Sequence, residues 1–126
     1  SKISIGHNRW ATHGKPSITN AHPHFSNDKK IALVHNGIVE NYSEIKNMLS
    51  SEGFVFYSDT DTELIPNLIQ YFLNKEGDIT NAVIESMNCI SGAYAIVFTH
   101  LEFPGSLYIA RLGSSVCLGK DSSSNI

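Results

Sequence analysis

Residues 9–14, Arg9-Trp10-Ala11-Thr12-His13-Gly14, place a permanent cation, a large aromatic, a hydroxyl, an imidazole and a glycine side by side. Arginine can hold a carboxylate in a planar fork. Threonine and histidine donate or accept hydrogen bonds, and glycine lets backbone approach a ligand closely. These residues suit either a loop that binds a small carboxylate-bearing molecule or a surface turn around a half-buried Trp10.

Asn36-Gly37 follows the apolar run Ile31-Ala32-Leu33-Val34. The Asn36 amide and the backbone N–H of Gly37 can aim at one spot, as an oxyanion hole does for the charge on an attacked carbonyl. The ordinary alternative is a sharp Asn-Gly turn. Asp59 and Asp61 flank Thr60 ahead of a helical pattern. Acidic residues there serve caps and the helix dipole. Asp61 can also bind a ligand ammonium, so that with Arg9 it grips both ends of an amino acid.

Acyl transfer needs a nucleophile with a base. Cys89 falls on or near the buried face of a helix and Cys117 in a strand-like run, positions that suit packed thiols. No Gly-x-Ser-x-Gly pattern occurs. Local pattern therefore gives a binding half-site without its attacking group. Five of the six histidines (His7, His13, His22, His24, His35) lie in the first 35 residues, which raises a metal site as an alternative. Pro23 stiffens His22-Pro23-His24 and carboxylate partners are missing nearby, so no metal and no cofactor are expected.

The elements that must position these groups can be read from periodicity. Ile3 and Ile5 suggest the end of a strand entering the Arg9 loop, and a long Gly/Pro/Ser/Asn/His-rich loop runs to Lys30. A strand over 31–34 precedes the Asn-Gly turn. Asn41 with Glu44 resembles a capping box for a helix whose apolar face is Tyr42, Ile45, Met48 and Leu49, stopped by Gly53. A short strand over 54–57 follows. Thr60 with Glu63, or Asp61 alone, caps a second helix with Leu64, Ile65, Leu68, Ile69 and Phe72 inward. Pro66 within it demands an irregular first turn or a bend. Asp78 caps a third helix with Ile79, Ala82, Val83, Met87 and Ile90 inward. Strands over 93–98 and 107–110 form a hairpin around Pro104-Gly105, and 116–118 is a last short strand. Strands apolar on both faces call for a sheet covered on both sides. The consecutive helices argue for a layered α/β domain with antiparallel pairing, with too few strands for the second sheet such a layer needs.

At 126 residues, 41% hydrophobic and 17% charged, the chain fits one globular domain. A net charge of −3 gives no footprint for nucleic acid or an anionic membrane surface. No membrane span or signal peptide is read. Two distant cysteines suit a reducing, cytoplasmic setting.

Taken together, several stretches resemble the class II (N-terminal-nucleophile) glutamine amidotransferases. They are Gly6-His7-Asn8-Arg9-Trp10-Ala11-Thr12-His13-Gly14, Asn20-Ala21-His22-Pro23-His24, Val34-His35-Asn36-Gly37-Ile38-Val39-Glu40-Asn41 and Ser58-Asp59-Thr60-Asp61-Thr62-Glu63. Gly92-Ala93-Tyr94 and Ala110-Arg111-Leu112-Gly113-Ser114 also fit, and Trp10-Ala11-Thr12-His13-Gly14 favours the amino-sugar branch over the purine, asparagine and glutamate branches. The resemblance implies an α+β fold, part of a four-layer αββα sandwich with mostly antiparallel sheets. It implies that Arg9 binds the glutamine α-carboxylate and Asp61 its α-amino group. Thr12 and His13 complete the pocket, Trp10 stands between it and the ammonia route, and Asn36 and Gly37 form the oxyanion hole. The attacking group of the family is an N-terminal cysteine. Residues 1–126 are then expected to be a partial amidotransferase domain, without the nucleophile segment and without the sugar isomerase domains. Such a chain is expected to be inactive alone, and the parent to be a homo-oligomer. A non-catalytic amino-acid-binding module using Arg9 and Asp61 is the alternative from another class.

Overall fold

The computed structural model describes residues 2–8, 14–120 and 122. Strands β1 (His24–Phe25), β2 (Ile31–Gly37), β3 (Tyr94–His100) and β4 (Tyr108–Leu112) form one four-stranded antiparallel sheet in the order β1-β2-β3-β4. Between β2 and β3 come helix α1 (Tyr42–Ser51), a single 3-10 turn (Asp61–Glu63), helix α2 (Leu64–Glu76) and helix α3 (Ile79–Cys89). The mixed α/β architecture expected from the sequence is present, with the helices consecutive in the chain between β2 and β3.

Strand pairing sets which residues meet. Leu33 lies opposite Phe98, Ile31 opposite His100 and His35 opposite Ile96. These residues are all buried, in a core shared with the helices. Helix α2 packs on β1 and β2, and α1 and α3 pack on α2. Its Leu64, Ile65, Leu68 and Ile69 are almost wholly buried, so the helical period read from sequence is the packing period. The alternate set on the sheet is open. Ala32, Val34 and Val97 are half-buried, and Phe25 and Ile109 are exposed. The described residues thus form one helical layer on one sheet, with no second sheet over the other face.

Pro66 is resolved by an irregular start. The 3-10 turn leads into α2, and the proline falls in the first turn, where its missing N–H is least needed. Asp78 caps α3 as expected, accepting from Asn81 N–H at 3.2 Å. Other local expectations fail. Residues 3–5, 54–57 and 116–118 keep some alternation of exposure but join no ladder, because no strand lies alongside them among the described residues. Strand β2 does not stop at Val34. It continues through Asn36 and Gly37, which pair with Ala95 and Tyr94. Strand β4 runs to Leu112.

The Asn41 capping box is also absent, since Asn41 makes no side-chain cap. Its amide instead donates to Cys89 O at 2.7 Å and accepts from Ser91 N–H at 2.9 Å. Glu40 N–H donates to Ser91 O at 2.9 Å beside these bonds. A Cβ on Gly92, at φ +114°, would come 2.5 Å from Ile38 O, so the two segments cross where no side chain fits. Asn41 joins the exit of β2 to the entry of β3. Asn41→Ala should cost about 1–3 kcal/mol, because two backbone groups lose their partner. Glu44→Ala should leave the unfolding free energy from urea titration within about 0.5 kcal/mol of the parent. Equal effects from the two substitutions would restore the capping-box reading.

Candidate functional site

The open end of β2 carries Asn36 and Gly37, both exposed. Gly37 has φ +135°. A Cβ there would collide with Ala93 O and approach His35 Nε2 to 3.0 Å, so only glycine fits. The Asn36 side chain is engaged from one side, its Oδ1 lying 2.7 Å from His7 Nε2.

Asp61 opens the 3-10 turn and is 3% exposed. Its Oδ2 accepts from Val39 N–H at 2.8 Å. That bond draws a buried carboxylate against the chain just past Asn36-Gly37. The turn around it is held residue by residue. Glu63 does not cap; its carboxylate reaches back to Tyr57 N–H at 2.9 Å and to Ser58 N–H at 2.8 Å. Asp59 N–H donates to Asn20 Oδ1 at 2.9 Å, and Thr60 Oγ1 lies 2.8 Å from His24 Nε2. Thr62 Oγ1 lies 3.0 Å from His35 Nδ1. The loop ahead of β1 and β1 itself therefore contribute Asn20 and His24 to the Asp61 turn.

Of the residues singled out in the sequence, Asn36, Gly37 and Asp61 come together here. Arg9, Trp10, Thr12 and His13 lie outside the described residues. Three of the clustered histidines make ordinary hydrogen bonds at this site: His7 touches Asn36, while His24 and His35 hold the two threonines beside Asp61. His35 carried a signal: at two-residue spacing from Ile31 and Leu33, it belongs to the core face of β2. Among the described residues, no three His, Cys, Asp or Glu side chains are grouped to hold a metal ion.

Burial lowers the His35 pKa from 6.5 to about 4; the Asp61 carboxylate opposes this and His7 adds to it. The imidazole is therefore neutral at pH 7 and sits beside Asp61 without neutralising it. Cys89 is half-buried, and burial, with Glu85 and Glu44 adding, pushes its thiol pKa up, away from a nucleophilic thiolate. Chemically, the cluster offers an amide donor, a glycine that admits close approach, and a buried carboxylate suited to an ammonium.

The His35 shift fixes a direction for stability. Above pH 6.5 folded and unfolded chains are both neutral at this residue, and it adds no pH dependence. Below 6.5 the unfolded chain binds a proton that the fold refuses, so stability falls until about pH 4, where the loss is complete. By pH 4.5 the loss should be about 2–3 kcal/mol. Urea titrations at pH 7 and 4.5 should show a smaller drop for His35→Gln than for the parent. Parallel drops would mean that His35 titrates normally.

A family model for the glutamine amidotransferase domain matches residues 7–113. The chain is similar to the glutamine–fructose-6-phosphate aminotransferases (isomerizing) of Helicobacter pylori and Thermotoga maritima. It is 48% identical to the first over 118 residues and 46% identical to the second over 117. These alignments cover 94% and 93% of this chain and 19% of each relative, so the chain spans about a fifth of the length of the curated relatives it matches. Among solved structures it is similar to the glutamine phosphoribosylpyrophosphate amidotransferase of B. subtilis, with a TM-score of 0.60 and 28% identity. That superposition covers 75% of this chain and 20% of the other. The matched span contains His7, Asn36, Gly37 and Asp61, and the chain belongs to the glutamine amidotransferase domain family.

Proposed function

We propose that this chain is the glutamine-holding part of a glutaminase domain, in an enzyme that makes glucosamine 6-phosphate from fructose 6-phosphate and glutamine. The observation that carries the proposal is the Val39–Asp61 bond, which sets a buried carboxylate beside the Asn36-Gly37 end of β2. Glutamine has an ammonium and a carboxylate at one end and a carboxamide at the other. Asp61 takes the ammonium. Arg9 takes the α-carboxylate, with Thr12 and His13 completing the pocket and Trp10 on the side toward the ammonia route. The carboxamide carbonyl then lies against the Asn36 amide and the Gly37 N–H. Those two donors stabilise the oxyanion that forms when a nucleophile attacks.

The nucleophile comes from outside these residues, as a cysteine activated by its own α-amine at the start of the domain. Attack forms a thioester and releases ammonia, and water then releases glutamate. Sugar isomerase domains of the same polypeptide receive the ammonia. We place the enzyme in the cytoplasm as a homo-oligomer, with no metal or cofactor in this domain. The 48% and 46% identity to fructose-6-phosphate aminotransferases, against 28% to the phosphoribosylpyrophosphate amidotransferase, supports the amino-sugar branch.

Calorimetry with glutamine tests the pocket. Asp61→Asn keeps an oxygen for Val39 N–H but loses the charge, and should weaken binding about 10- to 100-fold. The chain alone should release no glutamate from glutamine. Joined to an upstream segment beginning with cysteine it should do so, and Asn36→Ala should then lower kcat about 10²- to 10³-fold. Turnover by the chain alone, or glutamine affinity indifferent to Asp61→Asn, would overturn the proposal.

A further inference from the structure

A side-chain amide has a donor end and an acceptor end, and an oxyanion hole needs the donor end. Asn36 sits exposed at the end of β2, where nothing in its own strand chooses between the two orientations. His7 makes the choice. Its Nε2 lies 2.7 Å from Asn36 Oδ1. With a proton on Nε2, His7 donates to Oδ1 and turns Nδ2 toward the open side of the site. With the proton on Nδ1 instead, Asn36 would have to donate to Nε2 and present its oxygen to the developing negative charge.

The surroundings of His7 select the first arrangement. His7 Nδ1 is buried and has no hydrogen-bond partner among the described residues. A buried N–H without an acceptor is rarer and costlier than a bare acceptor, so Nδ1 is the nitrogen without the proton. The ring is also fixed in orientation. It stacks on His22 with centroids 4.1 Å apart and planes 15° from parallel. His22 is held in turn, its Nδ1 accepting from His35 N–H at 3.4 Å.

We propose that His7 is a positioning residue for glutamine hydrolysis, acting through Asn36: as the Nε2–H tautomer it fixes the amide with Nδ2 facing the oxyanion. This rests on the glutaminase reading above. Because the oxyanion exists only once the carbonyl is attacked, the contribution falls on kcat and not on glutamine binding.

The test uses two variants in the full-length enzyme to which the chain belongs. His7→Phe keeps a ring for the stack on His22 and removes the donor. His7→Gln returns an N–H close to the position of Nε2. Glutamate release should fall about 10- to 100-fold in kcat for His7→Phe, with KM within about 3-fold, and His7→Gln should recover to within about 3-fold of the parent. An unchanged kcat in His7→Phe, a change confined to KM, or a His7→Gln as impaired as His7→Phe would each overturn the proposal.

Nitrogen-15 spectra of the chain itself supply a second readout. At pH 8, His7 should carry its proton on Nε2, and the Asn36 side-chain amide signals should shift in His7→Phe. A proton on Nδ1, or Asn36 signals indifferent to the substitution, would sink the orientation argument. Should the parent enzyme release no glutamate, the glutaminase reading falls, and these spectra alone decide whether His7 orients Asn36.

Discussion

A carboxylate taken out of water must be given hydrogen-bond donors, and Asp61 finds one in the backbone of Val39. This bond crosses from the 3-10 turn before α2 to the segment leaving β2. Without it, the His35–Thr62 contact would still join β2 to the turn, but the carboxylate itself would have no bond to the residues that end the strand. With it, one buried charge is tied to the same few residues that end the strand. The remaining bonds of the turn can be understood as its defence. Glu63 holds Tyr57 and Ser58, Asn20 holds Asp59, and His24 and His35 hold Thr60 and Thr62. A carboxylate able to swing toward solvent would hydrate and lose its directed geometry. Anchoring every neighbour removes that freedom.

The same network explains a loop that composition alone describes poorly. Residues 14–23 contain no regular structure, yet Asn20 is 3% exposed. Its amide donates to Lys15 O at 2.9 Å while its oxygen accepts from Asp59. Here a long loop acts as a side-chain scaffold. Its polar residues replace the ladder bonds that a strand would have made.

Legibility from sequence divided along the range of the interactions. The apolar face of α2 was plain, because a helix registers its neighbours within its own period: Leu64, Ile65, Leu68 and Ile69 are buried as their spacing demands. Asp78 was plain because its partner, Asn81, is three residues away. Asn41 and Glu63 carried the same kind of local signal and did something else. Asn41 meets Cys89 and Ser91 across the end of the sheet, and Glu63 turns back to Ser58. A capping pattern states what a side chain can reach within one turn, and unpaired backbone groups beyond that turn compete for the same side chain. The strands expected at 31–34, 93–98 and 107–110 found partners as β2, β3 and β4, while that at 54–57 did not, and alternation without a partner is only an extended segment. The family resemblance singled out Asn36, Gly37 and Asp61, and the fold ties Asp61 to the chain just past Asn36-Gly37. The partners of His7 and His35 were not legible: spacing put His35 on the core face of β2, but which nitrogen meets which neighbour is set by residues distant in the chain.

Neutrality of that histidine matters to the carboxylate beside it. Asp61 pulls the His35 pKa upward, and burial overcomes the pull and leaves it at about 4. An imidazolium at His35 would put a fixed positive charge into the field of Asp61 and compete with any ammonium brought there. The desolvation that keeps the ring uncharged therefore preserves the negative charge of Asp61 for a ligand. It also lets His35 serve Thr62 through one nitrogen while the other packs beneath Gly37. Removing the burial to relieve the orphaned Nε2 would restore ordinary basicity and set a positive charge against the Asp61 carboxylate. A small penalty in the fold is thus coupled to the electrostatics of the site.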